Sequence, residues 1–184
     1  DFKIEGNCLL KPLKEEIVSG KGNFQVKNIK EIDEILSDFN IEDNFINLEN
    51  TVVKKGSSFA YLKGYYSINT EKYTFNVINS EIVLKDISEK EEMKGYILAE
   101  GIISGNSLKE AEGMLEVKSA EGTVKGINYK NIDATLNIIY KNNKFKISGI
   151  GEIKETSYKN EKLEELNFNF RYNDNAIYID NLYN

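Results

Sequence analysis

The sequence predicts an all-β protein whose strands form one elongated, strongly curved and mainly antiparallel sheet. Apolar and polar residues alternate with a period of two through most of the chain, which is typical of strands with one buried face. Pairs of Asn, Asp and Ser residues interrupt these runs, and such pairs favour two-residue hairpin turns. The 184 residues include a single Pro, so little in the chain would break long strands. We expect about a dozen strands and one short helix.

The clearest hairpin lies near the end of the chain, where LNFNFRYNDNAIYIDNL spans residues 166–182. Apolar residues alternate into a turn at Asp174-Asn175 and out of it again. Asp and Asn tolerate the positive φ that such a turn requires. The turn gives one apolar face, which carries the cross-strand pairs Tyr172–Ile177 and Phe170–Ile179 together with Phe168.

Three earlier segments fit the same template, with turns predicted at Asp43-Asn44, Asn79-Ser80 and Asn142-Asn143. In each segment the apolar residues of both arms fall on one face, and a one-residue slip would scatter them. The longest interval between these turns predicts one further turn near Gly105 to Glu112. The predicted cross-strand pairs are Ile41–Ile46, Phe39–Leu48, Val77–Ile82, Phe75–Leu84, Tyr140–Phe145 and Ile138–Ile147.

The beginning of the chain is predicted to hold two strands and the helix. Residues 2–10 form a strand that is broken at Pro12, and residues 22–27 form a second strand. A short helix is then expected near residues 29–37, with Asn28 as its cap. Its predicted apolar face carries Ile29, Ile32, Ile35, Leu36 and Phe39, which have helical spacing.

The middle of the chain is predicted to continue as strands joined by turns and loops. Gly56-Ser57 should turn into a strand at residues 59–68. Residues 88–94 are a charged loop, and residues 95–104 and 113–119 are strands. Residues 122–128 are a short strand or a bend.

The last hairpins contain two features that interrupt a plain strand. Gly149 and Gly151 lie in the return arm of one hairpin, where glycine indicates a bulge or a sharp bend. Residues 155–162 are predicted to form a polar loop before the final hairpin.

Composition limits the function classes. The net charge is −6, and Lys and Glu are interspersed, which argues against a nucleic-acid-binding surface. Cys8 is the single cysteine, so no intrachain disulfide can form, and we interpret it as a small hydrophobic residue of a strand. The chain begins at Asp1 without Met, so residues 1–184 are expected to be a single β-rich repeat segment of a longer protein.

The sequence carries no recognisable catalytic motif. The chain contains no His, which excludes Ser-His and Cys-His nucleophiles and imidazole zinc sites. A phosphate-binding GxxxxGK[ST] loop is missing, and Gly149-Ile150-Gly151 lacks the third glycine of a dinucleotide fingerprint. We therefore expect no enzyme activity, no catalytic residues, no metal site and no cofactor.

Strands with one apolar face must bury that face. A closed β-sandwich or barrel would bury it in a sealed core, and a sheet folded lengthwise into a U-shaped trough would bury it against a guest such as an acyl chain. Two other functions stay open at this point. One is a surface adhesin or autotransporter-type β-solenoid, and the other is a closed β-sandwich binding module without a lipid role.

Two long segments resemble the repeats of the TamB/AsmA-like family of bacterial envelope proteins. They are GNFQVKN with FNIEDNFINLENTVVKKGSSFAYLKGYYS (within 22–67) and GTVKGINYKNIDATLNIIYKNNKFKISGIGEIK (122–154). Both follow that family's order of a glycine-led strand, a strand, an Asn/Asp turn, a return strand and a glycine-containing strand end. FRYNDNAIYIDNL (170–182) is similar to the first half of another unit.

The resemblance implies a β-taco, which is a U-shaped sheet with an apolar inner surface, in the periplasm of a diderm bacterium. It implies a parent protein anchored in the inner membrane that moves phospholipid between the two membranes or supports outer-membrane protein assembly. The implied partners are phospholipid or other acyl chains and an outer-membrane β-barrel protein, which other parts of the parent would contact. The implied lipid-groove residues are Phe39, Ile41, Ile46, Leu48, Phe75, Val77, Ile82, Leu84, Ile138, Tyr140, Phe145, Ile147, Phe168, Phe170, Tyr172, Ile177 and Ile179.

Overall fold

Twelve strands form one sheet in which the strands lie side by side in the order of the chain. The computed structural model describes residues 2–11, 16–29, 32–86, 92–159, 161–173 and 176–183. Every neighbouring pair of strands is antiparallel, so the all-β, antiparallel prediction is confirmed. The strands are β1 (Phe2–Lys11), β2 (Glu16–Ile29), β3 (Ile32–Glu42), β4 (Phe45–Lys55), β5 (Ser58–Ser67), β6 (Tyr73–Val83), β7 (Met93–Ser107), β8 (Glu110–Val124), β9 (Ile127–Lys141), β10 (Lys144–Tyr158), β11 (Glu161–Asn173) and β12 (Ala176–Tyr183).

The sheet is open, because β1 pairs with β2, β12 pairs with β11, and the two outer strands are not joined to each other. Extensive contacts run between strands adjacent in sequence, and a 3₁₀ turn at Leu84–Asp86 packs against β7. The accessible surface is 13034 Å². A compact folded protein of 21.0 kDa would expose about 9,000 Å². The chain therefore leaves far more of its surface uncovered than a compact domain of this size.

The registers of three predicted hairpins are confirmed. Asp43, Asn44, Asn142 and Asn143 have φ of 47°, 67°, 54° and 60°, as expected of turn residues with positive φ. The turn predicted at 174–175 falls outside the described residues, and the strands before and after it pair as predicted. A turn at Leu108-Lys109 joins β7 to β8, inside the span where one further turn was expected. The observed pairs include Ile41–Ile46, Phe39–Leu48, Tyr140–Phe145, Ile138–Ile147, Tyr172–Ile177 and Phe170–Ile179.

The predicted turn at Asn79-Ser80 is wrong. Strand β6 runs without a break through these residues, so the predicted pairs Val77–Ile82 and Phe75–Leu84 do not form across a hairpin. Asn79 has φ of 45°, and the register against β7 shifts between Val77 and Ser80. An Asn that tolerates positive φ serves a β-bulge as well as a turn.

The predicted helix near residues 29–37 is also wrong. Residues Ile32–Glu42 form β3, which pairs with β2 on one side and β4 on the other. Residues four apart, such as Ile35 and Phe39, share a face in both a helix and a strand, so their spacing did not distinguish the two. Residues 30–31, between β2 and β3 in the sequence, lie outside the described part.

The structure also differs from the predictions for residues 155–162 and 122–128, and the predicted loop at 88–94 is only partly described. The predicted polar loop at 155–162 is mostly strand, because β10 extends to Tyr158 and β11 begins at Glu161. Residues 122–128 hold the end of β8, a turn at Lys125-Gly126 and the start of β9. Of the predicted charged loop at 88–94, residues 88–91 fall outside the described residues.

Gly149 and Gly151 do not mark a bulge. The register between β9 and β10 is continuous through both residues, with Leu136 opposite Gly149 and Ala134 opposite Gly151. A different physical reason for these glycines follows from the rings that lie beside them.

Several strands shift their alternation by one residue at a defined point. The burial pattern shows two consecutive exposed residues at Glu49-Asn50, Ile78-Asn79, Ala120-Glu121, Lys130-Asn131 and Lys154-Glu155. The Asn residues at 50, 79 and 131 have φ of 50°, 45° and 52°. Such irregularities bend a strand and increase its twist. As a result, the apolar residues beyond the irregularity point to the same face as the apolar residues before it.

Candidate functional site: an apolar face

One face of the sheet carries uncharged side chains in rows that run from strand to strand. Residues directly opposite each other in neighbouring strands lie on the same face, so each row can be followed through the registers. We call this surface the apolar face. The longest row contains Phe39, Leu48, Gly64, Phe75, Ile103, Gly113, Ile138, Ile147, Tyr172 and Ile177.

A second row lies beside the first. It runs from β5 to β12 and also holds no charged residue. Its members are Leu62, Val77, Gly101, Leu115, Leu136, Gly149, Phe170 and Ile179. Two adjacent rows give the apolar face a continuous width as well as a length.

The residues predicted to line a groove are mostly half-buried on this face. Ile41, Val77 and Leu84 are buried, whereas Phe145 and Ile179 are 56% and 65% exposed. The side chain of Ile177 lies outside the described part. The half-buried members are Phe39, Ile46, Leu48, Phe75, Ile82, Ile138, Tyr140, Ile147, Phe168, Phe170 and Tyr172. Half-burial of this kind means that each side chain is flanked by its neighbours on the face, and that no second layer of the described strands covers the face.

Several members of the apolar face were not predicted. Ile103, Leu115 and Leu136 lie in the two rows, and Ala99, Val117 and Ala134 form a short buried run beside them. The same alternation runs through β7 and β8 and would have revealed them. Their pairing could not be assigned, because the turn at Leu108-Lys109 contains neither Asn nor Gly.

The opposite face, which we call the polar face, carries cross-strand ion pairs. Lys130 Nζ lies 3.2 Å from Glu155 Oε2, and Lys141 Nζ lies 2.9 Å from Glu110 Oε1. Arg171 donates two hydrogen bonds of 2.6 Å to the Asp180 carboxylate, and this contact lowers the pKa of Asp180. These side chains are largely exposed, so the pairs add little stability. They keep this face hydrated.

The polar face also has an apolar patch. Ile102 of β7 and Met114 of β8 lie opposite each other and are 51% and 58% exposed. Ile139 and Ile150 of the same face are also 45% and 60% exposed, and exposed apolar residues are common on protein surfaces. The two faces therefore differ in the continuity of their apolar rows rather than in the mere presence of apolar residues.

Buried hydroxyl groups around the apolar face are bonded within the protein. The hydroxyls of Ser37 and Thr51 lie 2.5 Å apart. The Ser119 hydroxyl donates to the carbonyl of Tyr96 at 2.6 Å and lies 3.0 Å from the Tyr129 hydroxyl. Such pairing is what buried polar groups require, and it explains how serine fits among apolar neighbours.

The carboxylate of Asp86 joins two turns at the ends of strands β4, β5 and β6. Asp86 Oδ2 accepts hydrogen bonds from the backbone N–H groups of Ser57 and Ser58 at 2.7 and 2.9 Å, and from the Ser58 hydroxyl at 2.9 Å. Burial by itself would raise the pKa of Asp86, but the hydrogen bonds from Ser58 and Ser57 lower it below its ordinary value. The carboxylate thereby ties the turn between β4 and β5 to the 3₁₀ turn after β6.

Two recesses of the surface have charged residues in their linings. They have volumes of about 500 and about 520 Å³. Glu5, Asp38 and Glu49 line the first, and Lys130, Glu155 and Glu164 line the second. Phe39 of the longest row also lines the first recess, and the buried Tyr129 lines the second, so both recesses combine charged and apolar side chains.

Comparison with known proteins gave no match: a scan against protein-family models, a search of curated proteins and a search of solved structures all found nothing similar to this chain. Within the part of the chain that the structure describes, no helix has the length and apolar character needed to cross a bilayer.

Proposed function

We propose that this chain is a β-taco segment whose apolar face binds or conducts the acyl chains of phospholipids between the inner and outer membranes of a diderm bacterium. The observation that carries the proposal is the pair of uncharged rows, the longer of which crosses every strand from β3 to β12. The predicted groove residues are members of this face or lie beside it. Support for outer-membrane protein assembly is a related role of the same parent protein.

The exposure of the apolar face favours a guest over a sealed core. The accessible surface of the whole chain, with both faces of the sheet included, is 13034 Å², about 4,000 Å² more than a compact protein of this mass exposes. Each Å² of apolar surface left in water costs about 25 cal/mol. A hydrocarbon chain laid on the rows would remove part of that cost without any rearrangement of the sheet.

The length of the rows suits transport along the sheet. Neighbouring strands are about 4.8 Å apart, so a row across ten strands extends about 43 Å. The hydrocarbon core of a bilayer is about 30 Å thick, which is two acyl chains end to end. One row is thus longer than a single acyl chain, and a chain could move along it while remaining in contact with apolar residues.

The U shape is part of the proposal. Sheet twist and strand irregularities both curve a sheet, and the shifts in alternation at Asn50, Asn79 and Asn131 occur on strands distributed along its whole length. Curving toward the apolar face would place the rows at the bottom of a trough and the ion pairs outside. The strands described here are antiparallel within one sheet, whereas a β-helix stacks parallel strands and a sandwich needs two sheets.

The proposal includes a location and partners. The segment works in the periplasm, its partners are phospholipids, and other parts of the parent protein contact an outer-membrane β-barrel protein. It is not a catalyst. The internal bonding of the buried hydroxyls of Ser37, Thr51 and Ser119 supports this, because those oxygens already have partners within the sheet.

Lipid extraction tests the proposal. The protein is purified without detergent, extracted with organic solvent, and the extract is analysed by mass spectrometry. Phospholipid is expected in near-stoichiometric amount from the wild type and in much lower amount from Ile147→Glu, because a carboxylate in the row removes the advantage of burying a hydrocarbon tail there. Ser148→Glu on the polar face is the matched control and should keep its lipid. A wild type that carries no lipid, and takes none up from phospholipid vesicles, contradicts the proposal.

A further inference from the structure

Glycine lies directly opposite an aromatic residue at several places on the apolar face. In each case the two residues belong to neighbouring strands and are register partners. The pairs are Gly64–Phe75, Gly105–Tyr73, Gly149–Phe170 and Gly151–Phe168. The pairing recurs at distant parts of the sheet, on β5–β7 and again on β10–β11.

At Gly149 and Gly151 the aromatic ring is the nearest obstacle to an added side chain, whereas at Gly64 and Gly105 the nearest atoms are the backbone carbonyl oxygens of Thr74 and Glu110. A Cβ atom at Gly149 would lie 2.6 Å from Phe170 Cε1, and one at Gly151 would lie 2.6 Å from Phe168 Cζ. Real Cβ atoms do not come closer than 3.0 Å to another heavy atom. The rings of β11 therefore lean across β10 instead of standing upright from their own strand.

Tyr73 shows the same orientation by an independent contact. Its hydroxyl donates a hydrogen bond of 2.7 Å to the carbonyl of Glu110 on β8. Between β6 and β8 lies β7, where a Cβ at Gly105 would be 2.6 Å from Tyr73 Cε1. The ring thus reaches across a whole strand, and the hydrogen bond holds it there.

Adjacent rings on one strand are tilted in similar ways. The planes of Tyr73 and Phe75 differ by 29°, with centroids 5.5 Å apart. The planes of Phe168 and Phe170 differ by 36°, with centroids 6.0 Å apart. Gly149 and Gly151 leave room for the rings of Phe170 and Phe168 to lean in this way, because a Cβ at either glycine would lie 2.6 Å from the ring.

We infer that these glycines set the depth of the apolar face, and with it the space available to an acyl chain. The inference rests on the proposed function, since depth matters only if a chain lies there. A ring that leans over a glycine lies close to the sheet and covers the backbone amides beneath it. A ring lifted by a Cβ would project into the volume above the row, and a straight hydrocarbon chain would lose contact with the apolar face on both sides.

Gly149→Ala tests the inference. The φ of Gly149 is outside the left-handed region, so alanine can adopt the backbone. The added methyl would lie 2.6 Å from Phe170 Cε1 and 2.9 Å from both Leu136 Cδ2 and Thr135 O, so it displaces the ring most and also presses on β9. Loss of burial for about two methylene groups corresponds to a fall of about tenfold in bound phospholipid. The measurement is the phospholipid recovered per protein after incubation with phosphatidylethanolamine–phosphatidylglycerol vesicles, with a thermal unfolding midpoint recorded for each variant.

Two further variants distinguish an effect on the depth of the apolar face from a general effect on side-chain packing. Gly149→Ala/Phe170→Leu removes the ring that alanine would lift, so lipid recovery should return to within about twofold of wild type. Ser148→Ala is the matched control, because Ser148 directly precedes Gly149 in β10, is exposed and lies on the polar face. It should keep its lipid.

The outcomes distinguish this inference from the proposed function. If the wild type binds lipid and folded Gly149→Ala binds as much, the depth inference is wrong while the proposed function stands. If Gly149→Ala does not fold, the double variant decides, and a folded double variant with lipid reduced about tenfold overturns the inference. A wild type that binds no lipid overturns the proposed function and the inference together.

Discussion

The hydroxyl of Ser58 donates a hydrogen bond to the Asp86 carboxylate at 2.9 Å and accepts one from the backbone N–H of Val83 at 2.8 Å. Ser58 is buried, and it connects the start of β5 with the end of β6. The carboxylate also accepts the backbone N–H groups of Ser57 and Ser58. A single ionised group therefore holds together the turn between β4 and β5 and the 3₁₀ turn that precedes β7.

This contact predicts a pH dependence of stability. The pKa of Asp86 is lowered in the folded protein, so its ionisation contributes stability that is fully present above the ordinary aspartate pKa. That contribution is lost as the pH falls through the lowered pKa of the folded state. The free energy of unfolding, measured with urea between pH 7 and pH 3, should decrease less steeply at the acid end for Asp86→Asn than for the wild type.

A matched carboxylate controls for general acid destabilisation. Asp133 lies on the polar face, 4.0 Å from Lys118, with both side chains exposed. Asp133→Asn should leave the acid limb of the stability curve unchanged. An Asp86→Asn variant with the full wild-type pH dependence would show that the carboxylate does not hold the β4–β5 turn against the 3₁₀ turn.

A charge on the apolar face should remove lipid without unfolding the protein. Phe170 is half-buried, so a carboxylate at this position can reach water once the guest has gone, whereas a lone carboxylate in a sealed core would cost several kcal/mol. We expect Phe170→Glu to stay folded and to lose its phospholipid. Circular dichroism and solvent extraction measure the two properties separately.

The neighbouring residue provides the control for that variant. Asn169 belongs to the same strand and points to the opposite face, so Asn169→Glu should change neither folding nor lipid content. Unfolding of Phe170→Glu, combined with no lipid in extracts of the wild type, is the result that a sealed core would give.

The bulge at Asn79 predicts a strong residue preference. Its φ of 45° is in the left-handed region, where an ordinary side chain costs about 1–2 kcal/mol. Asn79→Gly should be nearly neutral, and Asn79→Val should lower the free energy of unfolding by about that amount because valine is β-branched. Asn76→Val serves as the control, since Asn76 lies in the same strand, is exposed, and has ordinary strand geometry. Equal effects at 76 and 79 would contradict the bulge.

The loss of stability on truncating a side chain of the apolar face should increase with the burial of that side chain. Ile41 is 7% exposed and Ile179 is 65% exposed. Ile41→Ala should cost about 2–4 kcal/mol, as for a buried isoleucine, and Ile179→Ala should cost about 0.5 kcal/mol or less in lipid-free protein. Urea unfolding of both variants compares them. A large loss at Ile179 would mean that another part of the protein covers this end of the row.

The sequence by itself determined the local pairing. Alternation and turn chemistry together specify that Ile41 faces Ile46 and that Tyr140 faces Phe145, because a two-residue turn leaves only one register with every apolar residue on one side. Both signals are local in the chain, so they could be read without the fold. The predicted members of the apolar face on β3, β4, β9 and β10 were found for the same reason, whereas Phe75, Val77, Ile82 and Leu84 lie on it although their predicted hairpin was wrong.

Only the tertiary structure decided what local signals leave ambiguous. Asn79 tolerates positive φ in a turn and in a bulge alike, and the pairing of β6 with β5 and β7 selects the bulge. Ile35 and Phe39 share a face in a helix and in a strand, and the hydrogen-bonding partners on β2 and β4 select the strand. Gly149 needs no bulge, because the ring that requires its missing side chain belongs to β11, about twenty residues further along the chain. Each of these outcomes depends on a neighbouring strand, and a period counted along one segment holds no information about that neighbour.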